Sequence, residues 1–346
     1  MEIASPTAPL SATRQTEARS VDEEMEFDGS RRNIESIMGR SVVIFSSSEI
    51  LPVAESAGFN ANLVEKVLHL LHLLNTLISH PFLKGKLALK GGSALNLFLF
   101  NIPRLSVDID LNYIGAVERD KMMADRPKIE KAFQAVFSRE GFTVKRKPVE
   151  HAGGKWRMSY QSFTGSSGNL EVDLNFMFRQ PLWDLLYVDS QFLGDFRATN
   201  IPVLDIHELA AGKLCALLAR QQGRDLFDSH QLLNHNDLKQ KRLRLAFVVY
   251  GAMNRKDWRT VSLHDIDFAA DELSRQLLPL FHIKSARGDE SPVSYGKRLV
   301  KECRDRLSVV LPFTDSEMEF LNLLLDKGEI IPSLLTSDKD LQELIN

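Results

Sequence analysis

Val107-Asp108-Ile109-Asp110-Leu111-Asn112-Tyr113 alternates apolar and polar residues. A period of two belongs to a β-strand, so Val107, Ile109 and Leu111 share one face and Asp108, Asp110 and Asn112 the other. The two carboxylates then stand on one side with Cα atoms roughly 6.5 Å apart. Oxygen donors so placed can reach one divalent cation, which suits Mg²⁺. Without a counter-charge they repel, so a metal or a basic partner is expected. Taken alone, Asp-x-Asp is equally the solvated face of an ordinary strand.

Upstream lies Leu87-Ala88-Leu89-Lys90-Gly91-Gly92-Ser93-Ala94-Leu95-Asn96, a short apolar strand that turns through two glycines into a helix. Bare glycines let a phosphate approach the backbone, and a helix N-terminus supplies N–H groups and a favourable dipole. An ordinary strand-to-helix turn reads the same way. Other sites are excluded. An EF-hand starting at Asp108 would need Gly where Tyr113 stands and Glu where Arg119 stands. Gly154-Lys155 and Gly212-Lys213 are followed by Trp and Leu, so there is no P-loop, and no Gly-x-Gly-x-x-Gly occurs.

Around this centre the 346 residues divide by character. Residues 1–47 are rich in Ser, Thr, Ala and Pro, carry an acidic run from Asp22 to Asp28, and read as a flexible lead-in with order only near Val42–Phe45. Residues 48–200 hold a wide-striped, buried helix over Asn60–Ser79, the two segments above, a helix over Glu118–Glu140, and strands near Phe142–Val149, Lys155–Phe163 and Leu170–Phe178. From 201 to 346 the pattern is helical. Asp205…Glu208 and Thr314…Glu317 read as capping boxes, and the first opens a helix to Arg220. With 43 Lys+Arg against 46 Asp+Glu, any nucleic-acid contact has to come from a local patch. Two distant cysteines exclude a disulfide scaffold and a thiolate zinc site. No apolar run approaches the ~18 residues of a membrane span, and the first twenty residues lack an apolar leader. A reducing cytoplasm is the expected compartment, with no membrane partner.

Strand, Gly-Gly-Ser, helix, then Asp-x-Asp: Lys90–Asn96 followed by Arg104-Leu105-Ser106-Val107-Asp108-Ile109-Asp110-Leu111 resembles the first motif of the AbiEii/AbiGii nucleotidyltransferase toxin family, within the DNA-polymerase-β-like nucleotidyltransferases. Leu170-Glu171-Val172-Asp173-Leu174-Asn175 is similar to that family's strand bearing the third carboxylate. Glu208–Leu217 with Lys213, then Arg220 and Arg224-Asp225-Leu226-Phe227-Asp228, resembles its lysine helix and Arg-Asp-x-x-Asp motif. The likeness covers about Ile50 to Ile345. It implies an α+β fold: a polymerase-β-like core with a mixed sheet, followed by an α-helical C-terminal domain.

The resemblance and the chemistry agree on mechanism. Nucleotidyl transfer needs charge neutralised at the attacking and the leaving oxygen, the work of two Mg²⁺ ions held by three carboxylates. Asp108 and Asp110 would hold the nucleotide metal; Asp173 would complete the second site and accept the hydroxyl proton. Gly92 and Ser93 would bind the NTP phosphates. Arg104 would reach the triphosphate or pair with the carboxylates. Lys213, joined by Arg220, would be a charge on the triphosphate or the leaving pyrophosphate, against the plain reading of a snorkelling lysine. Arg224, Asp225 and Asp228 either position nucleotide or acceptor, or form a structural Arg–Asp bracket. The implied acceptor is RNA, the 3′ end of a tRNA, whose modification would stop translation and growth in toxin–antitoxin defence or abortive infection. The implied partner is a cognate antitoxin that need not touch the toxin. Three basic clusters suit an RNA backbone: Lys145-Arg146-Lys147; Lys239 with Lys241, Arg242 and Arg244; and Lys297-Arg298 with Lys301. Each is equally a solvated face. Nucleotidylation of a protein hydroxyl and a non-catalytic NTP- or RNA-binding module stand as the alternatives. A nucleotide-sugar transferase lacks its second nucleotide-binding half.

Overall fold

The computed structural model describes residues 34–37, 40–149, 152–283 and 290–346. Most of the expected flexible lead-in over residues 1–47 lies outside them. Its last part contains an antiparallel hairpin that the sequence did not suggest, β1 (Ile34–Ile37) with β2 (Arg40–Val43).

Helix α1 (Ser47–Ala57) starts at a Ser46/Glu49 capping box and ends at Gly58, whose left-handed φ of 69° closes the turn. Asn60 caps α2 (Ala61–Ser79), which is buried on most sides, as its wide apolar stripe requires. The main sheet then begins with β3 (Leu87–Lys90), the helical turn α3 (Gly91–Ser93) continuing as a π-helix over Ala94–Leu99, and β4 (Asp108–Tyr113). After α4 (Arg119–Arg139) come β5 (Thr143–Arg146), β6 (Gly153–Gln161), β7 (Ser167–Asn175), β8 (Leu186–Val188) and β9 (Ile201–Val203).

The seven strands order as β5-β6-β7-β4-β3-β9-β8 in a mixed α+β sheet. The β4–β7 and β3–β9 pairs are parallel and the others antiparallel. Strands β8 and β9 were not legible. At three residues each they are too short for a period to show, and Pro202 lies opposite Tyr187 within the pair. The sheet therefore runs on to Val203, into the segment read as purely helical.

Alternation sorts the two faces. Ile109, Leu111, Trp156, Met158, Val172 and Leu174 are all buried, and α2 packs against β4, β7 and β9. Asp108, Asp110, Lys155, Arg157, Glu171 and Asp173 occupy the alternate positions. Asn112 departs from the pattern and is buried with Tyr113.

The remaining helices are α5 (Ile206–Arg220), α6 (Gly223–Leu233), α7 (Gln240–Ala252), the short α8 (Ala270–Glu272), α9 (Pro292–Arg306), α10 (Asp315–Asn322) and α11 (Lys339–Ile345). The Thr314/Glu317 capping box is formed. At α5 only half of the expected box exists. Asp205 caps through the His207 N–H, whereas Glu208 turns inward to accept from Leu182 N and the Tyr250 hydroxyl. Burial of the α5 stripe draws Glu208 away from the cap. Residues Asn33–Asn346 form one compact unit.

Candidate active site

Strand pairing brings the acidic residues together. Asp110 lies in register opposite Asp173 on the neighbouring parallel strand, and Asp108 opposite Glu171. On the far side Lys90 pairs with Asp110, and on the near side Lys155 pairs with Asp173. A charged row Lys90–Asp110–Asp173–Lys155 thus crosses four strands. Asp173 holds its proton above the ordinary carboxylate range, first because it is partly buried and then because Asp110 repels its charge; Lys90 and Lys155 only partly offset this.

The glycine turn abuts this row. Gly91 has a left-handed φ of 73°, and a Cβ there would run into the Asp110 carboxylate. At Gly92 a Cβ would stand 2.9 Å from the Arg104 guanidinium and 3.0 Å from the Ser106 hydroxyl. Ser93 is fully buried. Its hydroxyl donates to the Asp108 backbone carbonyl and lies 3.0 Å from the Ser106 hydroxyl, so the side chain ties the turn to the start of β4.

The opposite wall comes from α5 and α6. Arg104 donates twice to Asp228, at 2.9 and 2.7 Å, and to the Leu105 carbonyl at 2.8 Å. Asn96 joins Asp228 to the glycine turn, donating to Asp228 at 3.0 Å and to the Gly92 carbonyl at 2.9 Å. Lys213 stands 2.8 Å from Asp228 and 3.1 Å from Asp225. Arg220 reaches Asp225 at 2.8 Å. Burial would raise the Asp228 carboxyl, but Arg104 and Lys213 hold it well below its usual range. Burial would likewise lower the Lys213 ammonium, and Asp228 and Asp225 keep it above its ordinary value. Arg224 points across to the sheet, 3.4 Å from Asp108.

Between the walls is a cleft of about 190 Å³ lined by Gly92, Arg104, Asp108, Asp110, Asp173, Lys213, Arg220, Arg224 and Asp225. Nine of the residues singled out from sequence meet there; Ser93 and Asp228 lie behind its surface. Lys155 also lines the cleft, and its strand neighbour Glu171 takes contacts from Lys155 at 3.0 Å and Arg157 at 2.8 Å. Lys66 on α2 belongs to the same field. Burial lowers its proton affinity, opposed by Asp108 and Glu171. Sequence reasoning missed Lys155, Glu171 and Lys66. For Lys155 and Glu171 the signal was present in Lys155-Trp156-Arg157 and Glu171-Val172-Asp173, each with the alternation that exposed Asp108 and Asp110, while Lys66 offered none.

The hard oxygen donors Asp108, Asp110 and Asp173 suit a divalent cation, and the unbalanced Asp110/Asp173 pair is the juxtaposition such an ion relieves. They do not form a closed cage. Among the described residues no three acidic, histidine or cysteine side chains stand close enough to enclose an ion. Nor, among those residues, is any helix long and apolar enough to cross a membrane.

A mixed sheet carrying acidic residues on adjacent central strands, facing a glycine turn and a basic helix-borne wall, defines a nucleotidyltransferase. Comparison with known proteins agrees. The model of the nucleotidyl transferase AbiEii toxin family, of type IV toxin–antitoxin systems, matches residues 72–290. The chain belongs to this family and is a nucleotidyltransferase toxin. Among solved structures it is similar to MenT4, a nucleotidyltransferase toxin of Mycobacterium tuberculosis H37Rv, at 14% identity and a TM-score of 0.56, over 85% of this chain and 97% of that one. That likeness supports the fold. A search of curated proteins finds no significant match.

Proposed function

We propose that this toxin moves a nucleoside monophosphate from an NTP to RNA, the 3′ end of a tRNA, with Mg²⁺ held by Asp108, Asp110 and Asp173, and that the blocked acceptor halts translation in the cytoplasm. A cognate antitoxin is the expected counterpart, and direct contact with the toxin is not required. The observation that carries the reading is the in-register Asp110/Asp173 pair beside the glycine turn.

In this reaction the acceptor hydroxyl oxygen bonds to the α-phosphorus. The bond from that phosphorus to the bridging oxygen breaks, and pyrophosphate leaves. Held by Asp108, Asp110 and Asp173, divalent ions would offset charge on the phosphate oxygens and on the attacking oxygen as its proton leaves. The protein's own residues do the rest. Asp173, beside Asp110 on the neighbouring strand, takes the hydroxyl proton. The bare backbone at Gly91 and Gly92 admits the triphosphate. Arg220 and Arg224, on the cleft wall, face the phosphate charge, while Lys213 holds its place through Asp225 and Asp228. Arg104 fixes α6 against the glycine turn through Asp228.

Purified protein given labelled NTP, Mg²⁺ and total RNA is expected to label small RNA. Changing Asp108→Ala together with Asp110→Ala is expected to abolish the label. Labelling that survives the double substitution discards the site; labelling of protein instead of RNA replaces the acceptor.

A further inference from the structure

The face of the sheet that carries the acidic residues changes sign toward its β5 edge. Along one row of register, Asp108 is followed by Glu171, then Arg157, then Arg146. At ~4.8 Å per strand, Arg146 stands about 14 Å from Asp108 across the same face. Arg146 and Arg157 are direct cross-strand neighbours of like charge, an arrangement that weakens a sheet; Glu171 reaches Arg157 at 2.8 Å and leaves Arg146 without a counter-charge among the described residues. The strand is bulged between Val144 and Arg146, which places Lys145 as the extra residue at the edge. Lys145, Arg146 and Lys147 are all exposed. None of them has an acidic partner among the described residues.

The other basic clusters differ in their arginines. Arg244 is bound to Glu317, Arg242 lies 3.9 Å from Asp205, and Arg298 is shared by Glu290 and Glu302. Neither cluster lies on a strand of the sheet. Only the β5 cluster continues, strand by strand, into the row that ends at Asp108.

We propose that the Lys145-Arg146-Lys147 edge, with Arg157, is the surface over which the RNA acceptor's phosphate backbone runs to the cleft. The inference rests on the RNA reading of the site and specifies where that RNA lies. Arg157 and Lys155 give partial neutralisation to Glu171 at the boundary, so the charge changes from cation-seeking at β4 and β7 to anion-seeking at β6 and β5. Phosphate contacts of this kind set position and affinity without reading bases.

The test uses the full chain with Lys145→Ala, Arg146→Ala and Lys147→Ala combined, and separately Arg146→Glu. Binding of a short fluorescein-labelled RNA is followed by anisotropy over a salt series, and transfer of labelled NTP to total small RNA is followed in parallel. The triple variant is expected to weaken RNA binding on the order of tenfold and to flatten the log–log salt slope by about 2, at ~0.7 per lost contact. Half-saturation by NTP and the rate at saturating RNA should stay as in wild type. Arg146→Glu should weaken RNA binding while melting no earlier than wild type, because Glu opposite Arg157 replaces a repulsion with an attraction. A merely structural Arg146 gives the reverse. Wild-type labelling of RNA with unchanged affinity and salt slope in both variants overturns this surface and leaves the active site standing. A wild type that labels protein and no RNA overturns the RNA reading, and this surface with it, while the cleft stands.

Discussion

The two walls of the cleft handle charge in opposite ways. On the helical wall Asp228 and Asp225 are almost completely buried, and each is held by two cations, Arg104 and Lys213 for the first, Lys213 and Arg220 for the second. On the sheet wall Asp110 faces Asp173 and Asp108 faces Glu171 across parallel strands, half-exposed and only partly compensated. Buried charge must be neutralised within the fold or the fold does not form. Charge at the rim of a cleft can stay unbalanced at modest cost and remain available to a ligand. In the proposed function the buried carboxylates of the helical wall are scaffold for the site, and the carboxylates of the sheet wall carry its chemistry.

The sharpest way to break this contrast is to remove one carboxylate from each wall. Asp228→Ala leaves Arg104 without its bidentate partner and takes one of two anions from Lys213, so it is expected to cost about 3–5 kcal/mol in urea denaturation. Asp110→Asn keeps the shape and relieves the repulsion at Asp173, so stability should hold or rise while nucleotide transfer is lost. An Asp228→Ala protein as stable as wild type would make both walls alike.

The contrast also explains what the sequence could and could not say. Asp108 and Asp110 were legible because a strand face is periodic, and Gly91-Gly92-Ser93 because a turn has its own chemistry. Arg104 and Asp228 are 124 residues apart, and nothing local tells that one guanidinium will close over the other's carboxylate. Ser93 was legible as a residue of the turn; its hydroxyl's bond to the Asp108 carbonyl depends on how β3 and β4 pair. Lys155 and Glu171 alternate as clearly as Asp108 and Asp110 do, yet opposite charges on a strand read as a solvated surface until β6, β7 and β4 are placed side by side. Lys66 sits on a helix with no such signal. The three-residue strands β8 and β9 had no period to detect.

One carboxylate sharpens the comparison from inside the helical wall. Glu208 on α5 is buried, and its donors are neutral: Leu182 N at 3.0 Å, the Tyr250 hydroxyl at 2.9 Å and the Trp183 backbone N–H. Its Oε2 has no hydrogen-bond partner among the described residues. Burial pushes its pKa from 4.5 up to about 7. Its proton therefore stabilises the folded state fully below about 4.5. As pH rises beyond that, the unfolded chain releases its proton first, and the contribution is lost as pH passes about 7. A difference of that size corresponds to at most about 3 kcal/mol. Glu208→Gln should remove the decline, so that the variant gains on wild type in melting temperature between about pH 5 and about pH 8. Parallel melting profiles would mean that Glu208 is ionised in the fold after all.

The smallest expected effect on stability falls where the walls meet. Arg220 closes the helical network on Asp225, but its side chain is 56% exposed and Asp225 keeps Lys213 at 3.1 Å when Arg220 is removed. An exposed pair of this kind is worth under about 1 kcal/mol, so Arg220→Ala should barely change the urea midpoint. Partial burial would lower the Arg220 guanidinium, and Asp225, with help from Asp110 and Asp173, holds it above its ordinary value. That field is the sheet wall's own, so Arg220 is bound to one wall and polarised by the other. If its cation serves the triphosphate, the alanine variant should raise KM for NTP severalfold with kcat little changed, and Arg220→Lys should recover part of the loss. An unchanged KM with a lower urea midpoint would assign Arg220 wholly to the scaffold, and the boundary between the walls would move outward to Arg224.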